Sequence, residues 1–393
     1  MKKHCALVLG GYVNGYSIIQ ELHEKGIKEI ILFDYSRNIA TFSNKIKKYE
    51  IIKKDPVDLL KKIKTLHKEY EYIVVYPTDD LQLELLYKIH NEIANFCFLP
   101  YNYDNLLDCL DKYFQYQVCE KLNIPYPKTI ILDKVDDFKN IKNIMFPIII
   151  KPRKRDDLNT GIFRNLIISN ENELFKYEGE IKDFLNKGFS FLVSEVIPGE
   201  ADDNIYAYVA YRNKKGEILN EWVGKKISQY PDDYGVFSSV ANEAPEIIRE
   251  QGRKLLEGMN LQGICEPEFK YDYRDKKYKL MEVNLRSTMW HRLGNLTGVN
   301  LQYTQYLDAL GEANVKRQQQ DLSKRIHFCY LNHEVMNLFF RKKYFKKFIR
   351  NIFKSDKTYF AFYDLKDIRP FLVSLFRLFK SLVIKCLKQL KTD

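Results

Sequence analysis

The chain has 393 residues, 45% of them apolar and 29% charged, as in a folded soluble protein with room for two or three compact units. Its net charge of +11 is uneven: from Lys316 to Asp393 there are 19 Lys and Arg against 6 Asp and Glu. Residues 1–315 are therefore slightly acidic, which excludes a nucleic-acid signature over the body of the chain.

Seven scattered cysteines without a C-x-x-C pair argue against a disulfide framework or a zinc site and suit a reducing cytoplasm. Lys2-Lys3 before a short apolar run resembles the start of a signal peptide. The run ends in Gly-Gly-Tyr-Val-Asn-Gly, so it reads as a first strand, Ala6–Leu9. No stretch of about 20 apolar residues is present, so no membrane-spanning helix is expected.

The glycine turn Gly10-Gly11…Gly15 leads into a helix over Ile18–Lys25, then a strand over Glu29–Phe33 with Asp34 at its end. This is a βαβ start with an anion-suited turn, but its G-G-x-x-x-G spacing is not G-x-G-x-x-G. A tight packing turn and dinucleotide binding are both open. Pro56–Tyr70 predicts a helix and Tyr72–Tyr76 a strand. Leu81–Ala94 predicts a helix and Phe96–Leu99 a strand. This alternation implies an open parallel sheet whose rim carries Gly10-Gly11 and Thr78-Asp79-Asp80. Asp79 and Asp80 suit either helix capping or substrate contact.

Further on, Asp111–Leu122 predicts a helix bearing Lys112, and Thr129–Leu132 a strand. Phe146–Pro152 predicts a β-branched strand ending on Lys151. A lysine buried at a strand end is costly unless an anion meets it; the alternative is a snorkelling edge lysine. Glu171–Asn186 predicts a helix, Ser190–Ile197 a strand broken at Pro198-Gly199, and Asn204–Arg212 with Ile218–Val223 a hairpin. Helices are expected over Glu246–Met259 and Asn295–Leu310.

Between them, Cys265–Arg286 reads as two strands about the polar turn Arg274–Lys277. Alternation puts Glu268 and Lys270 on one face of the first strand, and Glu282, Asn284 and Arg286 on one face of the second. Such hard oxygens suit Mg²⁺ beside substrate phosphates, and the guanidinium suits a phosphate or carboxylate. A solvated charged hairpin is the plain alternative.

The order of motifs resembles the ATP-grasp superfamily, most of all its carboxylate–amine ligases of the D-alanine–D-alanine ligase and D-aspartate ligase type. Over roughly residues 5–311 the sequence presents Lys112, then IPYP, FPIIIKP, SEVIPGEADD, KKISQYP and EPEFKYDYRDKKYKLMEVNLR. The resemblance implies an α/β, ATP-grasp fold. A Rossmann-like pre-ATP-grasp domain would span 1–110 and an ATP-grasp domain 111–315, with a lid at about 125–190. Residues 316–393 would form a basic C-terminal extension. It also implies roles. Lys112 and Lys151 would hold ATP phosphates, and Glu195, Val196 and Ile197 would form the adenine hinge. An acid after Gly199 would meet ribose; Asp203 is favoured over Glu200 and Asp202. Glu268, Glu282 and Asn284 would hold two Mg²⁺ ions, with Arg286 on the transferred phosphate. One departure stands out: the loop after Lys151 has only Gly161, where the family has several glycines, and Arg153, Lys154 and Arg155 are candidates to replace backbone donors.

The implied activity is ATP-dependent amide formation between small carboxylate and amine substrates through an acyl phosphate, on a cell-envelope or polysaccharide precursor, in the cytoplasm. A kinase on the same scaffold and a nicotinamide oxidoreductase are the alternatives. Beyond the resemblance, Leu372, Leu375, Phe376, Phe379, Leu382, Val383, Cys386 and Leu390 share one helical face, with Arg377, Lys380, Lys385, Lys388 and Lys391 on the other. Two readings stand: a helix lying peripherally on the inner face of an anionic membrane, or one docking its apolar face on the body with its lysines in water.

Overall fold

The computed structural model describes residues 3–153, 161–200, 202–231, 235–312 and 315–389. The chain packs as two units. The first comprises Met1–Leu110, Glu200–Glu268 and Val283–Asp393; the second comprises Asp111–Gly199 and Phe269–Glu282.

The first unit opens with five parallel strands: β1 (His4–Leu9), β2 (Ile30–Asp34), β3 (Lys48–Ile51), β4 (Tyr72–Tyr76) and β5 (Cys97–Phe98), in the order β3-β2-β1-β4-β5. β1, β2 and β4 are nearly unbroken apolar runs because both faces of a central parallel strand are covered. The glycine turn is tight for steric reasons. A Cβ on Gly15 would fall 1.8 Å from the Gly10 carbonyl oxygen, and one on Gly10, at φ +90°, would fall 2.3 Å from Thr78 Oγ1.

The second unit carries four antiparallel-paired strands: β6 (Thr129–Leu132), β7 (Ile148–Pro152), β8 (Leu166–Ile168) and β9 (Phe191–Glu195), in the order β6-β9-β7-β8. The helix Glu171–Asn186, capped by Asn170, buries Ile181 and Leu185 in the core of this unit, with Ile148, Ile150, Phe191 and Val193.

A larger sheet follows: β10 (Ile205–Arg212), β11 (Ile218–Tyr230), β12 (Val236–Ala241), β13 (Gly263–Asp272), β14 (Lys277–Asn284), β15 (Ile326–Cys329) and β16 (Lys357–Phe360). Its order is β14-β13-β10-β11-β12-β15-β16, and the hairpin end Phe269–Glu282 belongs to the second unit. Trp222 and Trp290, both fully buried and edge to face, anchor the core of the first unit.

Several expected elements differ. The helix read over Asn295–Leu310 is two, Arg292–Leu296 and Leu301–Ala309, because Gly298 sits at φ +93° between them. Val135–Asn143 forms a 3₁₀ helix. The strands β3, β8, β12, β15 and β16 carry too short or too mixed a pattern to stand out from sequence alone.

The tail differs from the second of its readings, an apolar face docked on the body with the lysines in water. The helix Ile368–Gln389 packs on the first unit, but not by its apolar face. Ser374 and Leu378 are buried, Arg377 donates to Asn38 Oδ1 (3.0 Å) and to the Arg37 carbonyl (2.7 Å), and Lys385 donates to Tyr230 Oη (2.7 Å). Leu372, Phe376, Phe379 and Val383 are exposed instead. The side chains of Cys386, Lys388, Leu390 and Lys391 lie outside the described residues, as do Lys154 and Arg155.

Candidate active site

The candidate residues divide between the two units. In the second, Asp111 caps the helix Lys112–Leu122 by accepting from the Tyr113 N–H at 2.7 Å, which brings Lys112 out in the first turn. Lys112 Nζ donates to Glu282 Oε2. Two backbone-directed bonds seat the strand that carries Glu282: Tyr116 Oη donates to the Met281 carbonyl (3.0 Å), and the Leu280 N–H to the Pro125 carbonyl (2.8 Å). Lys151 is half-buried at the end of β7. Burial first, and the Lys112 charge second, push its ammonium down to about 8. Two ammonium groups therefore flank one carboxylate, and an arriving polyanion relieves both penalties on Lys151.

The segment Glu195–Ile197, the expected hinge, is braced from outside. The Glu195 N–H donates to the Lys128 carbonyl (2.9 Å) and the Val196 N–H to the Pro147 carbonyl (2.8 Å). Lys270, placed by alternation beside the acidic ribbon, turns its ammonium to the carbonyls of Ile197 (2.8 Å) and Gly199 (2.7 Å). The Glu195 carboxylate is held by Arg274 (3.1 Å) and Lys279 (3.2 Å), which also bind Asp272. Arg274 foremost holds the Asp272 carboxyl far below the usual carboxylate range.

In the first unit the centre is Glu266, a residue not singled out from sequence. It is fully buried. Thr288 Oγ1 donates to Glu266 Oε2 at 2.7 Å, His291 Nε2 lies 2.6 Å from the same oxygen, and Asn284 Nδ2 donates to Oε1 at 3.3 Å. Burial pushes the Glu266 carboxyl up and the His291 imidazole down, so the imidazole is neutral. The side-chain bond to Glu266 turns the Asn284 amide nitrogen inward. Glu268, two residues on and on the same face, also bonds Glu266 and pairs with Lys226 Nζ at 3.3 Å. Alternation from Glu268 back to Glu266 was the available signal; what it lacked was the three donors brought in from Asn284, Thr288 and His291.

Arg286 donates from Nε to Asp80 Oδ1 at 2.7 Å and from Nη2 to Oδ2 at 3.4 Å. The two aspartates after Thr78 thus divide the roles open to them. Asp79 caps its helix by accepting from the Gln82 N–H (2.8 Å), while Asp80 holds the arginine. Asn14, from the glycine turn, donates to the carbonyls of Thr78 (2.8 Å) and Ser287 (3.4 Å), tying the rim of the parallel sheet to the residue after Arg286. Asp34 accepts from the Gly11 N–H and the Tyr35 N–H, each at 2.7 Å. Asp203, at φ +60°, lies near Lys225 (3.8 Å), Lys347 (3.3 Å) and Arg350 (3.8 Å); its neighbour Asp202 is buried against Arg341 and Lys347.

Among the described residues no three His, Cys, Asp or Glu side chains gather as a metal cage. In the first unit Glu268 and Asn284 offer a carboxylate and an amide oxygen, and in the second Glu282 offers a carboxylate. That donor set fits Mg²⁺, which takes few protein ligands and keeps its other positions for water and phosphate.

No family model matches the sequence. The chain is 25% identical over 314 residues to a D-aspartate ligase of Enterococcus faecium, covering 75% of this chain and 74% of the relative. Among solved structures it is similar to the ADP complex of an N5-carboxyaminoimidazole ribonucleotide synthetase, with a TM-score of 0.63, 15% identity, and coverage of 86% of this chain and 84% of the other. It is also similar to the biotin carboxylase domain of the Hydrogenobacter thermophilus 2-oxoglutarate carboxylase, solved with MgADP, ADP and bicarbonate. There the TM-score is 0.61 and the identity 16%, over 79% of this chain and 71% of the other.

Two outcomes follow from the geometry. A phosphate chain seated on Lys151 restores its charge, so ADP binding above about pH 8 takes up protons. Calorimetry in buffers of different ionisation enthalpy measures this uptake, and Lys151→Met removes it. Without ligand the fold favours the neutral amine, so this group's contribution to stability rises from about pH 8 up to its unfolded value. Separately, Glu266→Gln places an amide N–H against three donors and turns Asn284. Mn²⁺ affinity, followed by calorimetry, then falls about 10- to 100-fold. Thr288→Val, which does not touch Asn284, leaves it near wild type.

Proposed function

We propose that this chain, which carries the ATP-grasp fold, is an ATP- and Mg²⁺-dependent ligase that joins a carboxylate to an amine. The carrying observation is the half-buried pair Lys151 and Lys112 around Glu282, two cations suited to phosphates beside the carboxylate proposed as a metal ligand. Similarity to a ligase of D-aspartate and to a nucleotide-bound synthetase supports the same reading.

The chemistry is acyl activation. A substrate carboxylate oxygen attacks the γ-phosphorus of ATP, the bond from that phosphorus to the β–γ bridging oxygen breaks, and ADP leaves. The resulting acyl phosphate is attacked at its carbonyl carbon by the amine. Phosphate departs with the former carboxylate oxygen, and the nitrogen loses a proton to give the amide. Such transfer needs positioning and charge neutralisation more than covalent help. Lys112 and Lys151 hold the phosphates, Arg286, aimed by Asp80, meets the transferred phosphoryl group, and Glu195–Ile197 receives the adenine. Glu268, Glu282 and Asn284 would hold Mg²⁺, which would supply charge neutralisation on the phosphate oxygens. Asp203 is the candidate for ribose. The substrates are a small carboxylate and an amine, one of them part of a cell-envelope or polysaccharide precursor, met by a cytoplasmic enzyme resting peripherally on the membrane.

The glycine turn favours this reading over a nicotinamide enzyme. Asp34, the acid that a dinucleotide ribose would need, is buried, with one oxygen accepting from the Gly11 N–H and the other from the Tyr35 N–H.

Glu282→Ala lowers ADP formation by roughly a hundred-fold or more; turnover near the wild-type rate refutes the assignment. Pure protein with Mg-ATP and pools of amino acids and carboxylates yields phosphate together with a new amide mass. A phosphorylated product without amide turns the case toward the kinase.

A further inference from the structure

The terminal helix Ile368–Gln389 is apolar on the side that faces away from the body. Ser374 and Leu378 mark its docked side. Leu372, Phe376, Phe379 and Val383 follow at spacings of four, three and four residues, so they form one stripe centred opposite those two. Phe376 is 70% and Phe379 67% exposed. Docking already has its own anchors in Arg377 and Lys385, and Asp367 adds bonds to Tyr16 (3.1 Å) and to Ser43 Oγ (2.5 Å). The outward stripe is therefore not needed to hold the helix in place. The helix Tyr344–Phe353 repeats the pattern: Tyr344 and Asn351 are buried, while Phe345 and Phe353 are 65% and 84% exposed beside exposed Lys346.

The charge around these stripes is one-sided. Lys342, Lys343, Lys354 and Lys380 are exposed with Lys346. The described acids of the extension are turned inward or bound locally. Glu334 is buried on Ser228 and Tyr344, Asp321 accepts from Ser323, Asp356 accepts from the Arg325 N–H, Asp364 holds Lys45, and Asp367 holds Ser43. An apolar stripe rimmed by cations, its exposed acids Asp321 and Asp356 each accepting from a backbone N–H, complements a surface that is negative outside and apolar beneath. Among the described residues no helix is long and apolar enough to cross a membrane, so the fit is to its surface.

We infer that the outward faces of Ile368–Gln389 and Tyr344–Phe353 dock on an anionic lipid bilayer, with Phe376 and Phe379 entering the acyl boundary and the lysines at the headgroups. This deepens the peripheral placement proposed above and rests on it, but not on the amide chemistry.

The test is co-sedimentation of the full-length protein, without nucleotide, with phosphatidylcholine vesicles containing or lacking phosphatidylglycerol. Binding is expected to the anionic vesicles and to weaken with salt. The double variant Phe376→Glu with Phe379→Glu lowers the partition coefficient at least about ten-fold at an unchanged melting temperature, since both side chains stand in solvent. Lys342→Gln with Lys343→Gln and Lys346→Gln lowers it selectively on anionic vesicles. Absence of vesicle binding overturns the inference, as does binding that both variants leave intact. A dimer in light scattering that the phenylalanine variant dissolves, without vesicle binding, assigns the face to a second copy and overturns it too. ATP turnover, assayed on the same preparations in detergent-free buffer, reports on the ligase separately.

Discussion

A carboxylate buried without water must be met by donors, and Glu266 sets that requirement at the centre of the first unit. Leaving it unpaired would cost several kcal/mol, so Asn284, Thr288 and His291 converge on it. Meeting that demand orders three other things. It turns the Asn284 amide nitrogen inward, it anchors the loop that follows Arg286, and it holds His291 Nε2 at 2.6 Å from the acid. Glu268 then stands on the same strand face with Lys226 as its partner. The buried acid acts as a keystone for neighbours that would touch a metal and phosphates.

The second unit solves a different electrostatic problem. Lys112 and Lys151 repel one another, and burial penalises the charge on Lys151. Glu282 offsets part of this, but the Lys112–Glu282 pair remains about one-third exposed, where such pairs contribute little to stability. The arrangement is thus poor as a stabilising device and well suited to receive an anion. Around Glu195–Ile197 the opposite holds: Asp272, Arg274, Lys279 and Glu195 pair with one another, and Lys270 donates to two carbonyls.

The N-terminal glycine turn shows how one motif can serve two chemistries. Gly10, Gly11 and Gly15 permit a close approach of strand and helix, as in a dinucleotide site. Here Asp34 bonds back to Gly11, and Asn14 reaches across to Thr78 and Ser287. The turn links segments of its own unit.

Local pattern alone was enough for the strands β1, β4 and β6, the helix Glu171–Asn186, and the hairpin bearing Glu268, Glu282 and Asn284, because period and turn residues are properties of neighbours in sequence. The order of short motifs along the chain likewise sufficed for the ATP-grasp reading. Only the tertiary structure decided which acid is buried. Glu266 and Glu268 share one face by alternation, and nothing local tells which of them three distant donors will meet. It also decided that Asp80 aims Arg286 while Asp79 caps a helix, since the contact between Asp80 and Arg286 spans about two hundred residues of chain. On the terminal helix the periodicity was legible but its orientation was not. An amphipathic stripe does not say which side docks, because that depends on Asn38, Tyr230 and Asn332 standing elsewhere in the fold to bind Arg377, Lys385 and Ser374.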